Sequence, residues 1–283
     1  MQSDANDQRI DIMSVISALS PASDAISVRA HFCRELALSA GAIARRAFAE
    51  REGQPVDLKG PQDFLTETDA AVERHIRARV SEAFPEDGFL GEETGGNVGG
   101  PGVWVVDPID GTANFARSIP HFCISIAYVA EGAVELGAIY NPALDELYFA
   151  QRGQGATRNS KPIRVADTRR YDAACVELGW STRVPNETYL QVLSDILVQG
   201  ANVRRAASGA LGLAYVADGR SDAYAELHMH PWDCLAGLLL VREAGGVTAP
   251  FLELDGLAKG GAVLASAPAI AEGISRATGI SFL

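Results

Sequence analysis

The chain lacks an excess of positive charge, a long apolar run and paired cysteines, and each absence removes a class of function. Acids outnumber bases 36 to 24 over 283 residues, for a formal net charge of −12. A surface of that sign repels nucleic-acid phosphates and anionic headgroups, so binding by phosphate neutralisation is disfavoured. No apolar stretch approaches the ~20 residues that cross a bilayer, and a soluble protein is expected. Cys33, Cys123, Cys175 and Cys234 stand far apart with no Cys-x-x-Cys pair, which reads as small buried side chains in a reducing compartment. Residues 1–11 lack the basic segment and apolar run of a secretory signal, so the expected compartment is the cytoplasm. Covalent and nucleotide signatures are missing as well. There is no Cys-x5-Arg loop, no Gly-x-Ser-x-Gly elbow and no Gly-x4-Gly-Lys.

What is present is ordinary globular composition, 47% hydrophobic and 21% charged, and the length suits one large domain or two packed lobes. Residues 1–27 read as an extension in which Ile12, Ile16 and Leu19 allow a short amphipathic turn before Ser20-Pro21. From Val28 the spacing of Phe32, Leu36, Ala40, Ile43 and Ala44 predicts a helix to about Glu50. Val72, Ile76, Val80 and Phe84 predict a second, with Asp69 placed to cap it. The period then changes. Strands are predicted at 89–93 and 103–106, separated by a glycine-rich loop from Thr94 to Gly102, and at 122–130, 133–140 and 145–150 as an antiparallel meander. The second half alternates, with strands at 174–178, 202–205, 222–226 and 262–265 and helices at 186–198, 209–217 and 232–244. The predicted fold class is therefore α/β, an α+β N-terminal lobe (28–166) followed by an α/β C-terminal lobe (167–283).

Carboxylates at the ends of buried strands carry the chemistry. Asp107-Pro108-Ile109-Asp110-Gly111-Thr112 follows the apolar Val103–Val106, and Glu92-Glu93 follows Phe89-Leu90-Gly91. Two aspartates around a proline-fixed turn, with the Ile109 carbonyl between them, can converge as hard oxygen donors of the kind magnesium takes. The alternative for such a pair is a solvated Asp-Pro turn. Gly111-Thr112-Ala113-Asn114 adds a turn whose backbone N–H groups can face an anion. Metal-binding acids beside an anion-binding turn are what phosphate-ester chemistry needs. Asp233, after His230-Pro231-Trp232, opens the helix of Leu235, Leu238 and Leu239, where a carboxylate is also favoured by the helix dipole alone.

These segments together resemble the inositol monophosphatase family of magnesium-dependent, lithium-sensitive phosphatases. The resemblance rests on Gly91-Glu92-Glu93, on Trp104 through Phe115, and on Trp232 through Gly237 with Glu243-Ala244-Gly245-Gly246. Thr66-Glu67-Thr68-Asp69 and Gly219 to Tyr224 support it, and the match spans roughly 28–270. It implies a layered αβαβα sandwich and two to three Mg2+ ions per site. Glu92, Asp107 and the Ile109 carbonyl would hold the first ion, and Asp107, Asp110 and Asp233 the second. Asp69, Glu92 and Thr112 would surround a further ion and the attacking water, with the catalytic roles. Gly111 and Thr112 would bind phosphate through their amides, while Asp110, Ser208, Gly209, Glu226 and Asp233 face the alcohol. Lys59 and Glu93 match supporting positions.

The implied substrate is inositol monophosphate or a similar small polyol phosphate, and the implied assembly is a homodimer. Histidinol phosphate, an amino-alcohol ester, stays open because Glu226 would also receive an ammonium. From a different class, some bacterial relatives serve as accessory factors of the transcription machinery. The chain departs from the family at Ala207-Ser208-Gly209, where Gly-Ser/Thr-Ala is usual, and at Ala113, where threonine is common.

Overall fold

The computed structural model describes residues 21–51, 57–60, 63–65 and 67–282. The amphipathic turn expected at residues 12–19 lies outside them. Helix α1 spans Pro21–Ala49 and therefore starts seven residues before the expected Val28. Proline at the first helical position is preorganised for this, since its fixed φ suits the helix and its missing N–H would have no partner there. Strands β1 (Asp57–Gly60) and β2 (Asp63–Leu65) form a small hairpin. Helix α2 (Glu67–Ala83) follows, and here the sequence reading is corrected: Asp69 is not the cap but sits inside the first turn, fully buried.

Strand β3 (Gly88–Gly91) leads to β4 (Gly95–Asn97), which pairs back onto it where only a loop was expected. The glycines left no side-chain alternation by which to read a strand. Strand β5 does not stop at Val106. It runs Val103–Asp110, buried throughout, and passes into the short helix α3 (Thr112–Ala116). Strands β6 (Cys123–Ala130), β7 (Ala133–Asn141) and β8 (Glu146–Gln151) form the expected meander. Two short strands not foreseen, β9 (Ala156–Arg158) and β10 (Lys161–Pro162), extend it. The eight-stranded order is β10-β9-β8-β7-β6-β5-β3-β4, with only β3 and β5 parallel.

The second half supplies β11 (Cys175–Leu178), α4 (Asn186–Val198), β12 (Asn202–Arg204), α5 (Gly209–Ala217), β13 (Ala223–Met229) and α6 (Pro231–Glu243). Strand β14 (Val247–Thr248), helix α7 (Gly256–Lys259), strand β15 (Gly261–Ser266) and helix α8 (Ala271–Thr278) complete it. The five strands order as β12-β11-β13-β15-β14.

Side-chain alternation sorts these elements into layers. Along β5, Trp104 and Val106 join the core beneath α1 and α2, whereas Val103 and Val105 join the core around α5 and α6. Along β13, Tyr224 faces α5 and α6, while Ala223 and Ala225 face the core that holds Val192 and Ile196 of α4 and Ile274 of α8. Helix pair, sheet, helix pair, sheet and helix pair follow in turn, an α/β fold with five layers. Helices α5 and α6 are apolar almost all round because they lie between two sheets.

Candidate active site

A regular strand would send Asp107 and Asp110 to opposite faces, because three is an odd number of residues. The pairing shows why it does not. Asp107 lies opposite Ser125 and Asp110 opposite Cys123, so β5 spends three residues where β6 spends two. This bulge at Pro108, a residue that cannot donate to the ladder, returns both aspartates to the α5–α6 side. Asp107 is 2% exposed and accepts the Ile109 N–H at 2.9 Å, which locks the turn.

Gly111 continues the turn at φ 95°, a left-handed conformation, and a Cβ there would stand 3.0 Å from the His121 carbonyl oxygen and 3.2 Å from Ser208. Both facts call for glycine. Thr112 then opens α3. Its hydroxyl has one proton and two acceptors within reach, the Ile109 carbonyl at 2.8 Å and Asp69 Oδ1 at 3.1 Å. Asp69 stands behind Thr112 rather than on the open surface of the cleft.

Asp110 ties the two halves together. Its carboxylate accepts the Ser208 hydroxyl and the amides of Gly209 at 3.3 Å and Ala210 at 2.8 Å, so it caps the first turn of α5 across 100 residues of sequence. Asp233, in the first turn of α6, accepts the His230 N–H at 3.1 Å. The capping role and the position in the cleft are thus combined in one side chain. Glu226 on β13 accepts the Tyr224 hydroxyl at 2.6 Å.

Glu92, Asp107, Ile109, Asp110, Gly111, Thr112, Ser208, Gly209, Glu226 and Asp233 all line one cleft of ≈ 730 Å³. Of the residues singled out in the sequence, Asp69 is not in this lining but accepts the hydroxyl of Thr112, which is. Lys59 lies where the backbone alone is described, and Glu93 lies outside the cleft lining, its amide donating to Glu73.

Electrostatically the acids are in conflict. Burial first, then repulsion from Glu92, Asp110 and Asp233, holds Asp107 well above the usual carboxylate range, and Asp107 and Glu92 share a hydrogen bond. Burial raises Asp110 against the opposing help of its Ser208, Ala210 and Gly209 donors. Asp233 is raised well above its ordinary value by burial and then by Glu92, Asp110 and Glu226. Glu226 is pushed up to about 7, chiefly by burial, with its Tyr224 bond working the other way.

Such a set suits a hard cation: every donor is oxygen, and a divalent charge relieves both burial and repulsion. Among the described residues, no three acids, histidines or cysteines stand at metal-holding spacing. Backbone or hydroxyl hydrogen bonds hold oxygens of Asp107, Asp110 and Asp233.

The opposite wall was not read from the sequence. It presents Trp180, Arg183, Arg205 and His228. Arg204 is taken by Glu177 at 2.8 Å, while the neighbouring Arg205 lies 5.5 Å from the Trp180 ring. A basic pair in an acidic chain was the available signal. His230 stacks on Trp232 at 4.6 Å, and burial, Arg183 and His228 depress its imidazole to about 4.

The profile of the inositol monophosphatase family matches residues 27–279. The chain belongs to that family. An inositol-1-monophosphatase of Rhizobium meliloti is 43% identical over 73% of this chain and 79% of its own length. A Nus factor SuhB of Xylella fastidiosa is 39% identical, over 77% and 80%. The inositol monophosphatase of Anabaena superposes with a TM-score of 0.78 at 32% identity, covering 92% of this chain and 98% of that one. The SuhB structure of Bartonella henselae gives 0.80 at 35%, covering 86% and 95%. Family membership makes the chain a phosphoric monoester hydrolase.

Proposed function

We propose that the protein hydrolyses inositol monophosphate, or a small polyol phosphate like it, with magnesium. The observation that carries this is the convergence of Glu92, Asp107, Asp110 and Asp233, from the turn after β3, from β5 and from α6, on the cleft that also holds the Gly111–Thr112 turn. Glu92, Asp107, Asp110, Asp233 and the Ile109 carbonyl would hold the ions. Bound magnesium supplies neutralisation of phosphate oxygens and a lowered pKa for water.

The remaining work falls to the chain. Thr112 can take a proton from a water while passing its own hydroxyl proton to Asp69 Oδ1, which leaves the water oxygen nucleophilic and Asp69 protonated. That oxygen bonds phosphorus as the ester P–O bond breaks, and the alcohol leaves with a proton, so water and monoester give alcohol and inorganic phosphate. The Gly111 and Thr112 amides receive phosphate oxygens. Ser208, Gly209, Glu226 and Asp233 face the alcohol, where a carboxylate can accept two hydroxyl protons.

The far wall weighs the choice of alcohol. Arg183 and Arg205 both bear on Glu226 and His230 is neutral at pH 7, so that end of the cleft has little attraction for an ammonium. This supports a neutral polyol over histidinol phosphate. The cytoplasm and a homodimer are the proposed setting, on the family resemblance. The Nus-factor name of the Xylella relative supports a second reading, an accessory binding role in transcription.

Phosphate release with MgCl2 from inositol 1-phosphate and from histidinol phosphate tests the assignment, with Asp107→Asn as control. Preference for the first, lost in the control, is expected. Release from neither would move the reading to the binding role.

A further inference from the structure

One buried acid of the first lobe is absent from the cleft lining and yet touches the machinery. Glu73 lies on α2, one turn beyond Asp69, and is 1% exposed. A buried carboxylate is costly unless donors surround it. Here the donors come from the turn that follows β3. The Glu93 amide donates to Oε2 at 2.8 Å, the Thr94 amide to Oε1 at 3.1 Å, and the Thr94 hydroxyl also to Oε1. Arg77, one turn further along α2, lies 3.5 Å from Oε1 and donates to the Gly95 carbonyl at 2.9 Å.

On the other side of the same turn, the Glu92 amide donates to the Val106 carbonyl at 3.1 Å. The backbone around Glu92 is therefore gripped from two sides, by β5 through one amide and by Glu73 through the next two. Gly91 is part of the fit. A Cβ there would stand 2.4 Å from Glu73 Oε2, so the carboxylate reaches the turn only because the strand ends in glycine.

We propose that Glu73 is the positioning residue of the ion-binding turn, holding the 92–94 backbone so that Glu92 is presented to Asp107. The proposal rests on the magnesium reading of the cleft. It explains why α2 carries acids at both 69 and 73: the first meets Thr112 and the second sets the strand end opposite it. Glu73 touches neither substrate nor ion and acts through backbone amides. Hydrogen bonds that charge strengthens suit this task, because they fix direction as well as distance.

The test is Glu73→Gln, which keeps the volume but replaces one acceptor with a donor facing an amide N–H. Mg2+ is titrated into the full chain by calorimetry, and amide exchange is followed at residues 92–95. At least a tenfold loss of Mg2+ affinity is expected, with faster exchange of the Glu93 and Thr94 amides. Gly91→Ala should give the same pair of changes by displacing the carboxylate. Asp218→Asn, which breaks a 2.6 Å ion pair to Arg158 outside the cleft lining, is the control for lost stability. It should leave Mg2+ affinity within about twofold. Wild-type affinity in Glu73→Gln, or an equal loss in Asp218→Asn, would overturn the proposal. Failure of the unaltered protein to bind Mg2+ would instead overturn the reading beneath it.

Discussion

The two walls of the cleft are built differently. The acid wall grows from the eight-stranded sheet, where Asp107 and Asp110 are buried and their carboxylates accept backbone amides. The far wall carries Trp180 and Arg183 after β11 and Arg205 after β12, and both arginines are exposed. A strand end with a bulge places oxygen atoms precisely, as a reaction centre needs. Exposed side chains on connections hold the alcohol with less precision and are freer to vary. Chemistry should therefore fail when the first wall is altered, and selectivity when the second is.

The largest effect is expected at the acid wall. Asp107→Asn should lower kcat for inositol 1-phosphate by at least about a thousandfold, or about 4 kcal/mol in the barrier, measured by steady-state phosphate release. The fold should persist, because the amide oxygen can still accept the Ile109 N–H.

Glu226, which lines the same cleft, gives a prediction in pH. Its folded-state value of about 7 lies above its ordinary 4.5. The folded chain thus binds this proton more tightly than the unfolded chain does. The contribution is full below pH ~4.5 and is lost as pH rises through about 7, a fall of about 3 kcal/mol. Denaturant unfolding of metal-free protein should show that slope, and Glu226→Gln should flatten it. An unchanged slope would mean that burial at this position is relieved in another way.

Thr112→Ala removes the hydroxyl between Asp69 and the Ile109 carbonyl. A loss of about a hundredfold in kcat with KM nearly unchanged is expected from steady-state kinetics. The smallest effect belongs to the far wall. Arg205→Ala should change KM for inositol 1-phosphate by only a few-fold, leave kcat within about twofold, and raise the relative turnover of histidinol phosphate. A large fall in kcat would erase the distinction between the walls.

The same contrast explains what was legible in the sequence. Apolar spacing located α2, α4 and α5 closely, since amphipathic and fully buried helices both leave a clear pattern. The acids of the first wall were visible because charged residues abutting apolar strands are conspicuous. Three things were hidden. Strand β4 is glycine and asparagine, so no alternation marked it. The bulge at Pro108 shows only in the pairing with β6. Glu73 reads as one more polar residue on a charged helix, and its partners lie 20 and 21 residues away. Arg183 and Arg205 were passed over for a similar reason, since an arginine in a connection is usually solvated.

The central claim is that four acids lining one cleft, Asp107 and Asp110 buried and Glu92 and Asp233 partly so, repel a phosphate dianion until a divalent cation reverses the sign of the site. Calorimetry of inorganic phosphate binding, with and without MgCl2, tests it most directly. Binding that is measurable with magnesium and undetectable without it is the predicted result; equally tight binding by the metal-free protein would contradict the account.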